Sequence, residues 1–179
     1  KVFISLSGPD FPSDWQQTAE AAGFNSMQAA WQAYMYGGVH QTLLELLRDE
    51  FPSTNFFTIP TGQATLTLKK MYDDDELLDE VAFEGLQASS LFTDPKGHQG
   101  DIIRTTGSLV WLNALYGVDL PTYSYDSGFN TDLKGIAQTI MDEHFDKGLS
   151  HHTVPAMGVG GLLALGMLML GFVQSIKRS

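Results

Sequence analysis

A short loop in the middle of the sequence carries a carboxylate and an imidazole of the kind that hydrolytic enzymes use. Residues 91–100 read Leu-Phe-Thr-Asp-Pro-Lys-Gly-His-Gln-Gly, so Asp94 and His98 lie four positions apart. An aspartate that orients a histidine, with the histidine as general base, is the working half of a nucleophilic hydrolase. The chain must fold back at Pro95 and Gly97, both turn-forming residues, for the two side chains to meet. We therefore treat Asp94 and His98 as candidate catalytic residues.

A structural interpretation of the same two residues also fits the sequence. Asp is a residue type that caps helices, and a helix is predicted to follow shortly after this loop. In that interpretation Asp94 caps a helix that starts near Gly97, and His98 is an exposed residue of its first turn. The spacing alone is compatible with both interpretations.

Predicted strands and helices alternate along the chain, and they must position this loop. Short apolar runs predict strands, and longer stretches with helical periodicity or capping signals predict helices. The predicted strands cover 2–6 and 55–60, and the predicted helices cover 15–22, 27–51, 63–72, 102–116 and 131–147. No hairpin signal separates them, which favours an α/β layer fold with a parallel sheet. Because so few strands are visible, we expect this chain to be the C-terminal part of a longer protein.

Single residues set the expected ends and faces of these helices. Gly37-Gly38 predict a break or kink in 27–51, Pro52 ends that helix, and Asp132 caps the last one. The apolar stripe expected late in 27–51 consists of Val39, Leu43, Leu44, Leu46 and Leu47. The core residues expected in 102–116 are Ile103, Leu109, Val110, Leu112 and Leu115.

Two further groups of side chains suggest binding sites, but structural roles explain them more simply. The acidic run 73–76 lacks the glycine and the ligand spacing of an EF-hand loop, so we expect a solvated helix end rather than a calcium site. Four aromatic residues suggest a sugar-stacking surface, but helical spacing with neighbouring methionines favours packing in the core. These aromatic residues are Trp15, Trp31, Tyr34 and Tyr36.

Three phrases between residues 53 and 120 carry a family pattern. They are Asn55 to Thr61 followed by Gly62-Gln63-Ala64, then Leu91 to Asp94 through Gly97-His98, then an apolar helix ending in Leu115-Tyr116-Gly117-Val118. Together they resemble the C-terminal half of SGNH/GDSL hydrolases. The resemblance implies that Asp94 is the triad carboxylate and His98 the general base, in a flavodoxin-like parallel sheet with flanking helices. It also implies ester hydrolysis without a metal or an organic cofactor, on an acylated small molecule or on acetyl groups of a polysaccharide.

The chain departs from this family pattern in two ways. One extra residue, through Lys96-Gly97, separates Asp94 from His98, and the Gly-Asp-Ser block with the nucleophile is missing, as are the oxyanion glycine and asparagine. Ser7 follows a predicted strand and is one candidate nucleophile, but the family's glycine does not precede it and little chain separates it from Asp94. The sequence has no cysteine, which excludes thiol catalysis. We therefore expect a serine upstream of Lys1, and we predict that the 179 residues alone are inactive.

The charge balance argues against a nucleic-acid partner. The formal net charge is −11, and the few Lys and Arg residues are scattered, so no basic stripe exists to offset phosphate charge. The length and apolar content are those of one globular domain with a tail.

The C-terminal tail is expected to cross a membrane. Residues 154–173 carry no charge, and a helix of that length, at about 1.5 Å per residue, reaches across a bilayer core of about 30 Å. The alternative is a buried core helix. Lys177-Arg178 follow and are expected to stay cytoplasmic by the positive-inside tendency, which puts domain 1–147 on the other side. Residues 148–153, which include His151-His152, are predicted to be a solvated linker rather than a metal site.

The tail also resembles bacterial C-terminal sorting signals. Val154-Pro155-Ala156-Met157-Gly158, the glycine-rich apolar span and the basic end are similar to the signals of exosortase- or rhombosortase-type systems. The resemblance implies that 154–179 anchors an extracytoplasmic domain to the bacterial cell envelope and can be removed by processing. The sequence thus predicts an exported serine ester hydrolase acting on acyl esters of a carbohydrate. The alternative is a non-catalytic, membrane-tethered surface or binding protein with a degenerate hydrolase fold.

Overall fold

Two parallel strands lie next to each other at the start of the fold. The computed structural model describes residues 1–149, in which β1 (Val2–Ser5) pairs with β2 (Phe56–Ile59). Val2 lies opposite Phe56 and Ser5 lies opposite Ile59. The predicted strands and their parallel arrangement are confirmed. Because parallel strands run in the same direction, the chain leaves β1 and β2 at the same edge of this sheet.

A second parallel pair leads into the candidate catalytic loop. β3 (Ala82–Glu84) pairs with β4 (Ser90–Phe92), with Ala82 opposite Ser90 and Glu84 opposite Phe92. All three side chains of β4 are buried, which fixes the point from which the loop departs. β3 has no counterpart among the predicted strands, because three residues are too few to show an alternating pattern.

Helices make up most of the rest of the described chain. They are α1 (Trp15–Ala21), α2 (Met27–Gln32), a π-helical segment (Ala33–Leu43), α3 (Leu44–Glu50), α4 (Thr61–Asp73), α5 (Asp101–Tyr116) and α6 (Leu133–Leu149). Short 3₁₀ turns cover Pro12–Asp14, Gln87–Ser89 and Leu120–Thr122. Asp132 caps α6 as predicted, since its Oδ1 accepts the Gly135 backbone N–H at 3.0 Å. Residues 1–149 are therefore mixed α/β with two small parallel sheets.

A break or a kink was predicted at Gly37-Gly38, and the break is wrong. The chain stays helical there but widens into the π-helical segment, in which Gly38 is buried. A π-turn carries an extra residue per turn, so it changes which side chains face the core downstream. Leu44 is buried, whereas Leu43 and Leu46 are 40% and 62% exposed, so the predicted apolar stripe is wrong at these two leucines.

The core lies where α4, α5 and α6 pack on each other and on β2 and β4. Ile103, Leu109 and Val110 of α5 are buried as predicted and Leu112 is half-buried. Leu115 is exposed because it lies in the last turn, next to the left-handed Gly117 that ends the helix.

Three of the four aromatic residues considered for sugar stacking belong to the core. Trp15, Trp31 and Tyr36 are each less than 9% exposed, and the Trp15 ring packs edge-on against Phe92 of β4. Tyr34 is half-buried. Trp15, Trp31 and Tyr36 therefore belong to the core rather than to a binding surface, and Trp15 supports the strand that leads into the candidate loop.

The acidic run 73–76 and the C-terminal tail were also the subject of sequence predictions. Asp73 to Glu76 are exposed at the end of α4, as predicted, and no group of metal-ligating side chains forms within residues 1–149. None of the helices in those residues combines the length and apolarity needed to traverse a bilayer. The predicted membrane helix and sorting signal lie outside the described residues, as does the predicted linker from residue 150 onwards.

Candidate functional site

A tight hairpin brings Asp94 and His98 together. Its ends are closed by an antiparallel bridge between Phe92 and Gln99 and by the Thr93 N–H donating to the His98 carbonyl at 2.7 Å. At its tip the Gly97 N–H donates to the Asp94 carbonyl at 3.0 Å, which makes 94–97 a β-turn. Gly97 has a φ of +97°, a conformation that glycine adopts without strain. The turn therefore accommodates the extra residue between Asp94 and His98.

The Asp94 carboxylate holds the His98 ring in one tautomer. His98 Nδ1 is hydrogen-bonded to Asp94 Oδ2, while Asp94 Oδ1 accepts the backbone N–H groups of Gly97 and His98 at 3.1 and 3.3 Å. A carboxylate only accepts, so the ring proton lies on Nδ1 and the lone pair of the neutral ring lies on Nε2. The His98 side chain is 65% exposed, so the ring is accessible to a reacting group.

The same contacts keep Asp94 ionised. The hydrogen bond from His98 lowers the pKa of Asp94, and the backbone donors act in the same direction against a smaller effect of burial. The alternative interpretation, in which Asp94 caps a helix starting near Gly97, is wrong. Helix α5 begins at Asp101, with Gly100 at its cap position.

The hairpin rests on the loop that follows β1. The Phe11 N–H donates to the Lys96 carbonyl at 2.9 Å, and a Cβ on Gly97 would lie only 2.8 Å from Cδ of Pro12. Phe11 itself has a φ of +54°, an uncommon conformation for a large side chain that costs energy. Such strain concentrates at functional sites, and here it lies beside the candidate pair.

A second contact ties the hairpin to the helix that follows β2. Gln99 Nε2 donates to Thr65 Oγ1 at 2.9 Å, and a Cβ on Gly8 would lie 3.2 Å from that same oxygen. Gly62 abuts the loop after β1 so closely that a Cβ would lie 2.5 Å from Ser7 backbone atoms. The segments that follow β1 and β2 therefore contact the hairpin that follows β4. Ligands of α/β proteins bind at the carboxyl ends of parallel strands.

Ser7 lies at this edge without contacting the pair. Its side chain is exposed, and its carbonyl accepts the Trp31 indole N–H at 2.7 Å. Among residues 1–149, no hydroxyl group is hydrogen-bonded to the imidazole ring of His98, although Thr93 Oγ1 donates to the His98 backbone carbonyl at 3.3 Å. The described residues thus bring a carboxylate and an imidazole together without a hydroxyl at the ring.

A groove of about 400 Å³ runs along the outward face of α5, beginning three residues after His98. Its lining consists of Asp101, Arg104, Thr105, Ser108, Leu109, Leu112, Tyr123 and Tyr125. The rings of Tyr123 and Tyr125 lie 6.1 Å apart at 26° and remain 37% and 45% exposed. Asp101 and Arg104 form an ion pair at 3.6 Å, so the charged groups of the groove offset each other.

Sequence reasoning missed the support contacts and the groove. Gln99 and Thr65 are separated by more than thirty residues, and single polar residues of this kind give no pattern. The only available signal for the groove was a pair of tyrosines alternating with a serine after Pro121. No protein-family model, curated protein or solved structure matches this chain.

Proposed function

We propose that Asp94 and His98 are the carboxylate and the general base of an SGNH-type serine ester hydrolase. The observation that carries the proposal is the contact between the Asp94 carboxylate and His98 Nδ1 in the hairpin that follows β4. In this proposal residues 1–147 are the C-terminal part of a flavodoxin-like domain. The domain is exported and is anchored to the bacterial cell envelope by its tail.

In the proposed mechanism, His98 accepts or donates one proton at each step. His98 Nε2 takes the proton of the serine hydroxyl as its oxygen attacks the ester carbonyl, and Asp94 stabilises the imidazolium that forms. The imidazolium then protonates the departing alcohol, which leaves an acyl-serine. His98 next takes a proton from water as the water attacks the acyl-serine, and it returns that proton to the serine as the carboxylic acid leaves.

The serine is proposed to come from a segment upstream of Lys1. Two observations support this assignment: the described residues supply no hydroxyl contact to the His98 ring, and the sequence lacks the Gly-Asp-Ser block. The exposed Nε2 side of His98 is where that hydroxyl would dock.

The groove on α5 supports a carbohydrate as the alcohol part of the ester. Its first lining residue, Asp101, follows His98 by three positions in the chain, its aromatic rings are exposed, and its two charges offset each other. Aromatic rings with polar tips, together with the Thr105 and Ser108 hydroxyls, suit a neutral ligand with many hydroxyl groups. We therefore favour acetyl esters of a polysaccharide over charged or purely lipid esters.

The test is esterase turnover by the protein expressed together with the coding sequence that precedes Lys1. Release of nitrophenol from p-nitrophenyl acetate and of acetate from an acetylated oligosaccharide are both measured. We expect His98→Asn to lower kcat by about 10⁴-fold or more. His152→Asn makes the same substitution in the predicted linker and should leave the rate unchanged. An undiminished rate in His98→Asn would overturn the proposal.

The esterase assay on the 179-residue chain alone distinguishes the two possible nucleophiles, a serine upstream of Lys1 and Ser7. We expect no turnover above the Ser7→Ala variant of the same chain. Turnover that is lost in Ser7→Ala would instead assign the nucleophile to Ser7, within this chain.

One observation favours a second function, a non-catalytic envelope protein with a degenerate hydrolase fold. That observation is the absence, among the described residues, of a hydroxyl group hydrogen-bonded to the His98 ring. If the protein with its upstream segment binds an acetylated oligosaccharide through the groove without turnover, this second function is the correct one.

A further inference from the structure

A buried polar cluster lies away from the candidate site and is independent of the hydrolysis proposed above. It consists of Tyr36 and His40 on the π-helical segment, Thr58 on β2 and His144 on α6. His144 is 4% exposed and Thr58 is 5% exposed. The two imidazole rings lie 5.1 Å apart, and the Tyr36 ring lies within 6 Å of both.

The hydrogen bonds of this cluster are consistent with neutral histidines. His144 Nε2 lies 3.0 Å from the Thr58 carbonyl oxygen, which only accepts, so Nε2 carries the proton. His144 Nδ1 then accepts the Tyr36 hydroxyl at 3.1 Å. Thr58 Oγ1 lies 3.2 Å from His144 Nε2 and is also hydrogen-bonded to His40 Nδ1. In this arrangement the Nε2 proton of His144 and the hydroxyl proton of Tyr36 each have an acceptor.

A proton added to either ring disrupts the arrangement. On His144 the new proton would face the Tyr36 hydroxyl, which would have to stop donating to that nitrogen. On His40 the new proton on Nδ1 would face Thr58 Oγ1, so the threonine hydroxyl would have to turn away. Two adjacent imidazolium rings would also repel each other with little water to screen them.

Charged groups on the neighbouring elements act in opposite directions. Arg48 of α3 lies near His40, and with burial as the larger cause it lowers the pKa of His40. Glu143 of α6 lies near Tyr36, where burial and its charge raise the pKa of the tyrosine. Tyr36 therefore stays protonated, and His40 is the ring whose surroundings resist a proton.

We propose that this cluster is an acid-sensitive lock that holds the last turns of α6 and the π-helical segment against β2. At neutral pH both rings are uncharged and the contacts form. When the pH falls below that of an unfolded histidine, the unfolded or opened chain binds protons that the closed cluster excludes, so the closed form loses stability. Stability is thus highest above pH ~6.5 and decreases as the pH falls.

The test is urea unfolding of the 179-residue chain between pH 7.5 and 5.5, together with amide hydrogen exchange of residues 33–43 and 140–149. For each ring that stays uncharged in the folded state, the folding equilibrium constant should fall about tenfold by pH 5.5. His40→Gln should remove that ring's share of the pH dependence. His98→Gln, the same substitution on an exposed ring, should retain it.

Two outcomes would overturn the lock. One is an unchanged folding constant and unchanged exchange between pH 7.5 and 5.5 in the wild-type chain. The other is a pH dependence in His40→Gln equal to that of the wild type. If His40→Gln fails to fold, NMR titration of the wild-type imidazole resonances replaces that variant. The proposal requires at least one of the two buried rings to be largely uncharged at pH 6.0. Two charged rings at that pH would overturn it. None of these measurements depends on esterase activity.

Discussion

The Asp94–His98 pair and the His40–Thr58–His144 cluster hold their imidazole rings in opposite ways. His98 is fixed at Nδ1 by a carboxylate, and its side chain is 65% exposed. His144 is hydrogen-bonded at both ring nitrogens and is 4% exposed. His98 thus leaves one side of its ring open to a reacting group, whereas the Thr58 carbonyl and the Tyr36 hydroxyl occupy both nitrogens of His144.

The supporting structure differs in the same way. The hairpin of Asp94 and His98 is local, since both residues come from one turn, and it is braced by the loop after β1 and by helix α4 after β2. The buried cluster joins three elements that are far apart in sequence. Substitutions in the first region should therefore affect chemistry more than stability, and substitutions in the second should do the reverse.

After His98→Asn, the largest expected effect on activity is that of Asp94→Asn. An asparagine can donate to the ring as well as accept, so His98 loses the carboxylate that fixes its tautomer and stabilises the imidazolium. We expect kcat of the protein with its upstream segment to fall by about 10²–10⁴-fold, while the urea midpoint changes little. Asp74→Asn, in an exposed pair with Lys70, is the control and should retain full activity. A large loss of stability with unchanged kcat would reverse the contrast between the two regions.

Gly97→Ala should affect both activity and stability. The alanine would have to adopt the φ of +97° and its Cβ would clash with Pro12. We expect a loss of about 2–4 kcal/mol in the free energy of unfolding, together with a lower kcat because the turn that joins Asp94 to His98 shifts.

Gly128→Ala separates the cost of the positive φ from the cost of the clash with Pro12 in Gly97→Ala. Gly128 also has a positive φ, +76°, but a Cβ there would meet open space. Its alanine variant should lose only about 1–2 kcal/mol and retain activity. Equal effects at the two glycines would show that the contact with Pro12 contributes nothing.

Much of the fold and the local part of the site could be predicted from the sequence. The strands β1 and β2, most helix bounds and the cap at Asp132 follow from short-range patterns, as does the possibility that Gly97 folds Asp94 back towards His98. The π-helical segment could not be predicted from Gly37-Gly38, because the same dipeptide is typical of a break. Because the π-helical turns were not foreseen, the predicted buried face of the helix included Leu43 and Leu46, which are exposed.

The buried cluster could not be predicted because its partners meet only in the folded chain. A signal for His144 was nevertheless present: it follows Ala137, Ile140 and Met141 at helical spacing, so it lies on the buried face of α6. No comparable pattern marks Thr58, which is one polar residue in an apolar strand. Polar contacts across elements need the tertiary structure, whereas turns and caps need only neighbouring residues.

Thr58→Val should lower stability without lowering kcat. Valine keeps the shape but removes the hydroxyl between the two rings, which leaves His40 Nδ1 without its partner. We expect a loss of about 1–3 kcal/mol in urea unfolding at pH 7.5. Thr58→Ser keeps the hydroxyl and should lose less. A serine variant less stable than the valine variant would mean that the methyl group, rather than the hydrogen bonds, matters at this position.

The smallest expected effect is that of Asp79→Asn, which separates carboxylate from imidazole titration. Burial would raise the pKa of Asp79, but hydrogen bonds from Thr131 and Asn130 outweigh it and lower the pKa. A lowered carboxyl pKa contributes stability above the unfolded value, and that contribution is lost as the pH falls through the folded value. The side chain is near the surface, so we expect Asp79→Asn to cost less than about 1 kcal/mol at pH 7.5. Asp79→Asn should reduce the loss of folding stability that occurs below pH ~4. It should not alter the loss of folding stability between pH 7.5 and 5.5. If the variant also removed the change in that upper range, the acid sensitivity would belong to the carboxylates and not to the buried histidines.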